Sequence, residues 1–246
     1  MTEYAELSVT TNFSFLRGAS HAEELVLTAK QLGLTAVGVA DRNTLAGVVR
    51  AHIAAKEAGL RLLIGARLVA TDGPELICYP TDRAAYGRLS RLLSDGKLRA
   101  EKGDCLITLD DILAHADGQV FIFQPPERLD TTFAETLERF AAHTPGNVYA
   151  AATYAYHGRN RERIARIADF CARHGVPIIA TNDVLYHTPE RRPLQDVLTC
   201  IRTHCTIEQA GYQLEAHAER HLKSPEEMAR LFRGFEPALR RTIEIV

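Results

Sequence analysis

Leu34 to Asn43 reads L-T-A-V-G-V-A-D-R-N. A largely apolar run goes straight into Asp41 and Arg42 and then into a polar turn. A short apolar run containing the β-branched Val37 and Val39 is what a strand covered on both faces requires. The charged pair falls where that strand ends. In open α/β sheets and (β/α) barrels, sites are assembled at the C-terminal edge of the strands. The pattern recurs at Val176 to Thr181, which is mostly apolar and is followed by Asn182 and Asp183. Two buried strands that each deliver a carboxylate to one rim predict a shared site around Asp41 and Asp183.

On the N-terminal side of that stretch, Tyr4 to Val9 reads as a strand and Thr10 to Ser20 as a polar loop carrying Arg17. Ser20 with Glu23 predicts a capping box that opens a helix ended by Gly33. On the C-terminal side, a helix is expected over 44–58, with Gly59 as its stop. Leu60 to Ala70 is apolar again, and Arg67, deep within it, demands a carboxylate partner. Asp72-Gly73 marks a hairpin turn into a partner strand over 75–79. Further strands are expected over 119–123, 148–152 and 176–181. Helices are expected over 83–94, 108–115, 131–142, 160–174 and 189–203, with a charged loop over 95–103. Ser224-Pro225-Glu226-Glu227 is a helix start, with an N-cap, proline at the first position and an acid at the third. A last helix covers 237–246. Six or seven strands, most followed by a helix, give an α/β fold with a parallel sheet, open or closed.

The chain has 246 residues, 46% of them hydrophobic, and a net charge of −2. That length suits one (β/α) barrel or two small domains. The near-neutral balance gives no global electrostatic signal for nucleic acid or membrane. No apolar run approaches the roughly 20 residues that span a bilayer, and the first residues lack the pattern of a signal peptide. Five scattered cysteines (Cys78, Cys105, Cys171, Cys200 and Cys205) form no C-x-x-C. Free thiols in a reducing cytoplasm are therefore expected.

Several blocks, in order, resemble the PHP (polymerase and histidinol phosphatase) domain, and in particular the copy at the N-terminus of bacterial C-family DNA polymerases. They are 7–20 (L-S-V-T-T-N-F-S-F-L-R-G-A-S), 34–43, 64–68 (I-G-A-R-L), 179–186 (I-A-T-N-D-V-L-Y) and 222–232 (L-K-S-P-E-E-M-A-R-L-F). The first block and A-E-R-H-L at 218–222 are most similar to the error-prone branch. The resemblance covers essentially the whole chain. It implies a distorted (β/α)7 barrel, one domain over 1–246 excised from a much longer polymerase chain, and a rim where histidines and acids bind up to three divalent metals for phosphoester hydrolysis.

The sequence departs from that pattern at most of the ligand positions. The His-x-His of the first motif is Ser8-Val9-Thr10, and the later acid of that block is Arg17. The Asp-His pair is Asp41-Arg42. The glutamate after Ile-Gly is Arg67, and the last Asp-x-His is Asp183-Val184-Leu185. Asp41 and Asp183 persist, and His157 matches a further ligand position. Hydroxyls are weak metal ligands and leucine is none, while arginine offers only donors. No metal or other cofactor is therefore expected. Arg17, Arg42 and Arg67 are expected to replace metal charge with guanidinium charge, pairing Asp41 and Asp183. The implied role is a catalytically silent support for the polymerase modules of the parent chain, in DNA repair or translesion synthesis.

Two alternatives belong to other classes. A residual phosphoesterase or 3′–5′ exonuclease would use one divalent metal (zinc, manganese or magnesium) on Asp41, His157 and Asp183. A DNA-binding accessory module would use Arg159, Arg161, Arg163 and Arg166, or Lys97 to Lys102, for sequence-independent phosphate contacts. His217 with His221, and Cys200 with His204 and Cys205, have poor context or spacing for metal. Ser20 is expected to act as a cap and not as a nucleophile, and no G-x-S-x-G or P-loop motif is present.

Overall fold

The computed structural model describes residues 2–246. Its strands are β1 (Ala5–Val9), β2 (Ala36–Arg42), β3 (Arg61–Leu68), β4 (Leu76–Pro80), β5 (Gln119–Phe123), β6 (Val148–Thr153) and β7 (Ile178–Thr181). Its helices are α1 (Ala22–Gln31), α2 (Val48–Ala58), α3 (Arg83–Leu98), α4 (Leu109–Ala114), α5 (Thr131–His143), α6 (Asn160–Arg173), α7 (Arg192–Thr203), α8 (Ile207–Ala210), α9 (Pro225–Leu231) and α10 (Glu236–Ile245). The strands form one sheet in chain order. β1, β2 and β3 are parallel, as are β5, β6 and β7, while β4 runs antiparallel to both its neighbours. The turn at Asp72-Gly73 produces that reversal.

The sheet curls until its ends nearly meet. The amide of Val184 donates to the carbonyl of Ser8 (2.8 Å), and the amide of Thr10 donates to that of Val184 (2.9 Å). The result is an α/β fold with a nearly closed seven-stranded barrel. Glu6 fastens the same seam. Its carboxylate is 1% exposed and accepts from Tyr4 Oη (2.7 Å), Ser8 N (2.9 Å), Thr181 Oγ1 (2.7 Å) and Asn182 N (2.8 Å). Burial raises its pKa, and the four hydrogen bonds oppose that rise.

Alternate residues line the lumen: Ala36 and Ala40 of β2, Ile77 and Tyr79 of β4, Val120 and Ile122 of β5. Small residues opposite leave space for the Tyr79 ring. A Cβ on Gly38 would lie 2.3 Å from Tyr79 Oη, and one on Gly65 would lie 2.6 Å from its ring. The Tyr79 hydroxyl donates to the Leu7 carbonyl (3.0 Å). Ile243, Ile245 and Val246 pack against the lumen cluster from the opposite end to the charged rim. The other strand faces pack against the helices, where Phe140 of α5 meets Phe121 and Phe123 of β5 edge-on.

Three boundaries depart from the sequence reading. α1 starts one residue later than expected: the His21 amide donates to Glu24 Oε2 (2.9 Å). Ser20 is drawn away instead, its hydroxyl lying 2.7 Å from His187 Nδ1 and accepting from the His187 amide (3.0 Å). α2 starts at Val48 rather than 44, because Asn43 turns the chain left-handed (φ 48°) and its side chain accepts from the Val69 amide (2.9 Å). α3 continues to Leu98, into the expected loop. Gly96 packs tightly against Ile107 and its carbonyl accepts from the Leu106 amide (2.9 Å). Among the described residues, no helix is long and apolar enough to cross a membrane.

Candidate functional site at the strand-end rim

The period of two that fills the lumen also selects the rim. Arg42 is in phase with Ala36 and Ala40, and Arg67 with Gly65, while Asp183 lies two residues past the end of β7 in a left-handed turn (φ 48°) at the same rim. Glu75 precedes Ile77 by two, and the reversed direction of β4 brings its first residues to the same rim. These four side chains meet. Arg42 Nη1 donates to Glu75 Oε1 (2.5 Å), and Arg67 Nη1 lies 3.5 Å from Glu75 Oε2. Arg67 Nη2 donates to Asp183 Oδ1 and to Ser8 Oγ (2.9 Å). On the far side, Arg220 Nη2 donates to Asp183 Oδ2, and its Nη1 donates to Glu215 Oε1 (2.7 Å). Ser8 Oγ also donates to Asp183 Oδ1 (3.0 Å). Burial would raise the Asp183 pKa. The Arg220 and Arg67 charges, with hydrogen bonds from Arg67 and Ser8, instead hold it well below the usual carboxylate range.

Asp41 is one residue out of phase, and it joins a different structure. It is 1% exposed and accepts from Thr11 N (2.8 Å), Thr11 Oγ1 (2.8 Å) and Ser14 Oγ (2.7 Å). Burial raises its pKa against those hydrogen bonds. Gly47 passes so close that a Cβ there would sit 2.7 Å from Asp41 Oδ2. Asp41 therefore ties the loop after β1 to the end of β2. The expected shared site of Asp41 with Asp183 is corrected, and so is the expected arginine pairing. Of Arg17, Arg42 and Arg67, only Arg67 pairs with Asp183, whose second partner is Arg220; Arg42 pairs with Glu75, and Asp41 is held by hydroxyls and an amide. Arg17 faces the rim cavity with no carboxylate within ion-pair distance among the described residues.

Thr10 and Leu185 line that cavity with the arginines. His157 is exposed on the turn after β6. Its ring lies 5.3 Å from that of His217, in an adjoining cavity that also touches Asp183. Asp41 lines neither cavity. His217 Nε2 lies 2.7 Å from the Ala155 carbonyl, and His221 Nδ1 lies 2.9 Å from that of Ala218. Among the described residues, no three His, Cys, Asp or Glu side chains converge as a metal site. The donor set does not fit the multi-metal centre that the fold implies. Where lone pairs would be needed, Arg42, Arg67 and Arg220 present N–H groups. Arg159, just before α6, and Arg161 and Arg166 on it are exposed. Arg159 lies 3.9 Å from Glu162, Arg161 donates to the Arg233 carbonyl, and Arg163 lines the cavity beside His157.

The residues that the sequence reading missed are Glu75 as the bridge, Glu215, Arg202 and Arg220. Glu75 had a signal, since it lies in phase with Ile77 in the expected partner strand. Arg220 lies in the A-E-R-H-L run, but no periodicity points it at Asp183.

The nearly closed barrel, with its polar groups gathered on the strand-end rim, defines a class. The chain belongs to the PHP domain family, which matches residues 6–180. Within that family it is 59% identical to the error-prone DNA polymerase of Caulobacter vibrioides, over 99% of this chain and 22% of that protein. It is 52% identical to the error-prone DNA polymerase of Brucella abortus, over 100% of this chain and 23% of that protein. The chain thus spans less than a quarter of the length of these relatives. Among solved structures, it superposes on a Bifidobacterium adolescentis protein proposed to be a metal-dependent phosphoesterase, with TM-score 0.56 and 18% identity over 74% of this chain and 87% of that one. An amidohydrolase from Chromobacterium violaceum gives TM-score 0.55 and 15% identity over 74% and 88%. These two likenesses show the fold.

Proposed function

We propose that this chain is the PHP domain, over 1–246, of an error-prone DNA polymerase, and that its rim holds guanidinium charge in place of metal ions. It supports the polymerase modules and does not hydrolyse phosphoesters. The observation that carries this reading is the pair of arginines on Asp183. A carboxylate gripped from both sides by Arg67 and Arg220 has its charge neutralised without a cation, and a divalent metal placed there would face two fixed positive charges. The identity to polymerases more than four times as long supports the assignment to a larger chain that works in the cytoplasm. Leu194, Val197 and Ile201, all exposed at i, i+3, i+7 on α7, form an apolar stripe suited to a neighbouring module. DNA contact belongs mainly to that parent, with Arg159, Arg161, Arg163 and Arg166 adding weak, salt-sensitive attraction.

The test is metal content by mass spectrometry, after expression with added zinc and manganese followed by dialysis. Substantially less than one metal per chain is expected. One or more per chain overturns the reading. A residual hydrolase, which the placement of Asp41 restricts to His157 and Asp183, then requires metal-dependent phosphoesterase activity that Asp183→Asn abolishes.

A further inference from the structure

The rim cavity holds more positive charge than the ion pairs consume. Arg17, Arg42, Arg67, Arg202 and Arg220 line it against Glu75, Asp183 and Glu215, an excess of two cations. The excess can be assigned to particular residues. Arg42, Arg67 and Arg220 are paired with those three carboxylates. Arg202 donates to the carbonyl of Leu16 (2.6 Å) and, like Arg17, has no carboxylate within ion-pair distance among the described residues. Burial and the neighbouring charges of Arg42 and Arg202 push the Arg17 pKa down, so these cations stand in a repulsive field.

A second, independent feature lies in the same cavity. Gln195 of α7 is 3% exposed and lines it, yet its Oε1 has no hydrogen-bond partner. Buried side-chain amides are seldom left without one, and a half-turn of the amide presents its two N–H donors instead. The hydroxyl-bearing Thr10, 4% exposed, lines the cavity as well. The cavity volume is about 250 Å³, below the usual range for drug-sized ligands, which favours a small ligand.

We propose that this cavity binds a phosphate-type oxyanion, with Arg17 and Arg202 as its charge partners and Thr10 and Gln195 completing the shell. The Arg42–Glu75–Arg67–Asp183–Arg220 chain forms its fixed wall. Guanidinium N–H groups suit phosphate oxygens in charge and in planar geometry. The inference rests on the reading that the rim is built from guanidinium charge, so its test is run with chelator present, where metal content has no influence.

The probe is inorganic phosphate, titrated at constant ionic strength against chloride, with the thermal midpoint of this chain as readout. Two variants are compared, Arg17→Met/Arg202→Met and Gln195→Met. Wild type is expected to show a saturable rise in midpoint. The double variant is expected to lose that rise while unfolding, without phosphate, close to the wild-type midpoint, because relief of the repulsion between two cations offsets the lost Arg202–Leu16 hydrogen bond. Gln195→Met is expected to weaken the response several-fold. A 5′-phosphorylated dinucleotide tested in parallel identifies the source: tighter binding than inorganic phosphate points to a DNA end, and equal or weaker binding points to the free anion. No saturable rise in wild type overturns the proposal. An equal rise in the double variant, which marks a general salt effect, overturns it as well. If metal content is low and phosphate has no effect, this inference fails while the proposed function stands.

Discussion

One carboxylate, Asp183, joins both halves of the rim network through Arg67 and Arg220. Replacing it by asparagine leaves two partly buried guanidiniums with only Glu75 and Glu215 as counter-charge. We expect Asp183→Asn to lower unfolding stability by roughly 2–4 kcal/mol, near the lower end of what breaking buried pairs costs because the rim admits some solvent; urea unfolding measures it. The pH dependence follows from the direction of the pKa shift. The native carboxyl sits below its unfolded value, so the native state binds fewer protons in between. The pair's stabilisation is complete above the ordinary aspartate value of about 4 and is lost as pH falls through it toward the native value. Wild type should lose stability on acidification below that point, and the slope should flatten in Asp183→Asn. Identical slopes would mean that the carboxylate is not held as described.

At the scale of elements, the strands were legible because each is a short apolar run closed by turn residues. β4 was legible because Asp72-Gly73 signals a hairpin. The phase at the end of β2 was not. A strand buried on both faces has no polar alternation to show which residue points inward, so Asp41 and Arg42 were equivalent candidates until the lumen of Ala36, Gly38 and Ala40 fixed the register. The positions of Ser8, Thr10, Arg17, Arg67 and Leu185 followed from the resemblance to the family. Arg220 and Glu215 lie in a stretch with little regular structure, where no period constrains direction. The lumen also makes a prediction about packing. Gly38→Ala places a methyl 2.3 Å from Tyr79 Oη and 3.2 Å from Leu7 Cα. Overpacking of this kind costs ~1–3 kcal/mol, readable as a lowered denaturation midpoint. Tyr79→Phe in the same background should recover part of it.

At the scale of the whole molecule, the barrel depends on a seam. Glu6 of β1 receives Thr181 Oγ1 and Asn182 N from the end of β7, and each of its oxygens faces one backbone amide as well as one hydroxyl. In Glu6→Gln, the side-chain NH₂ must confront a backbone N–H whichever way the amide turns. We expect a loss of ~1–3 kcal/mol and faster amide hydrogen exchange at Val184 and Thr10. Unchanged exchange there would show that the backbone bonds hold the seam without Glu6. The same seam sets a timetable for synthesis. Ser8 meets Val184 only after some 176 further residues have been translated, roughly 10–35 s at bacterial elongation rates. Until then the free edge of β1 is an unpaired strand on the nascent chain, open to any other strand that reaches it first.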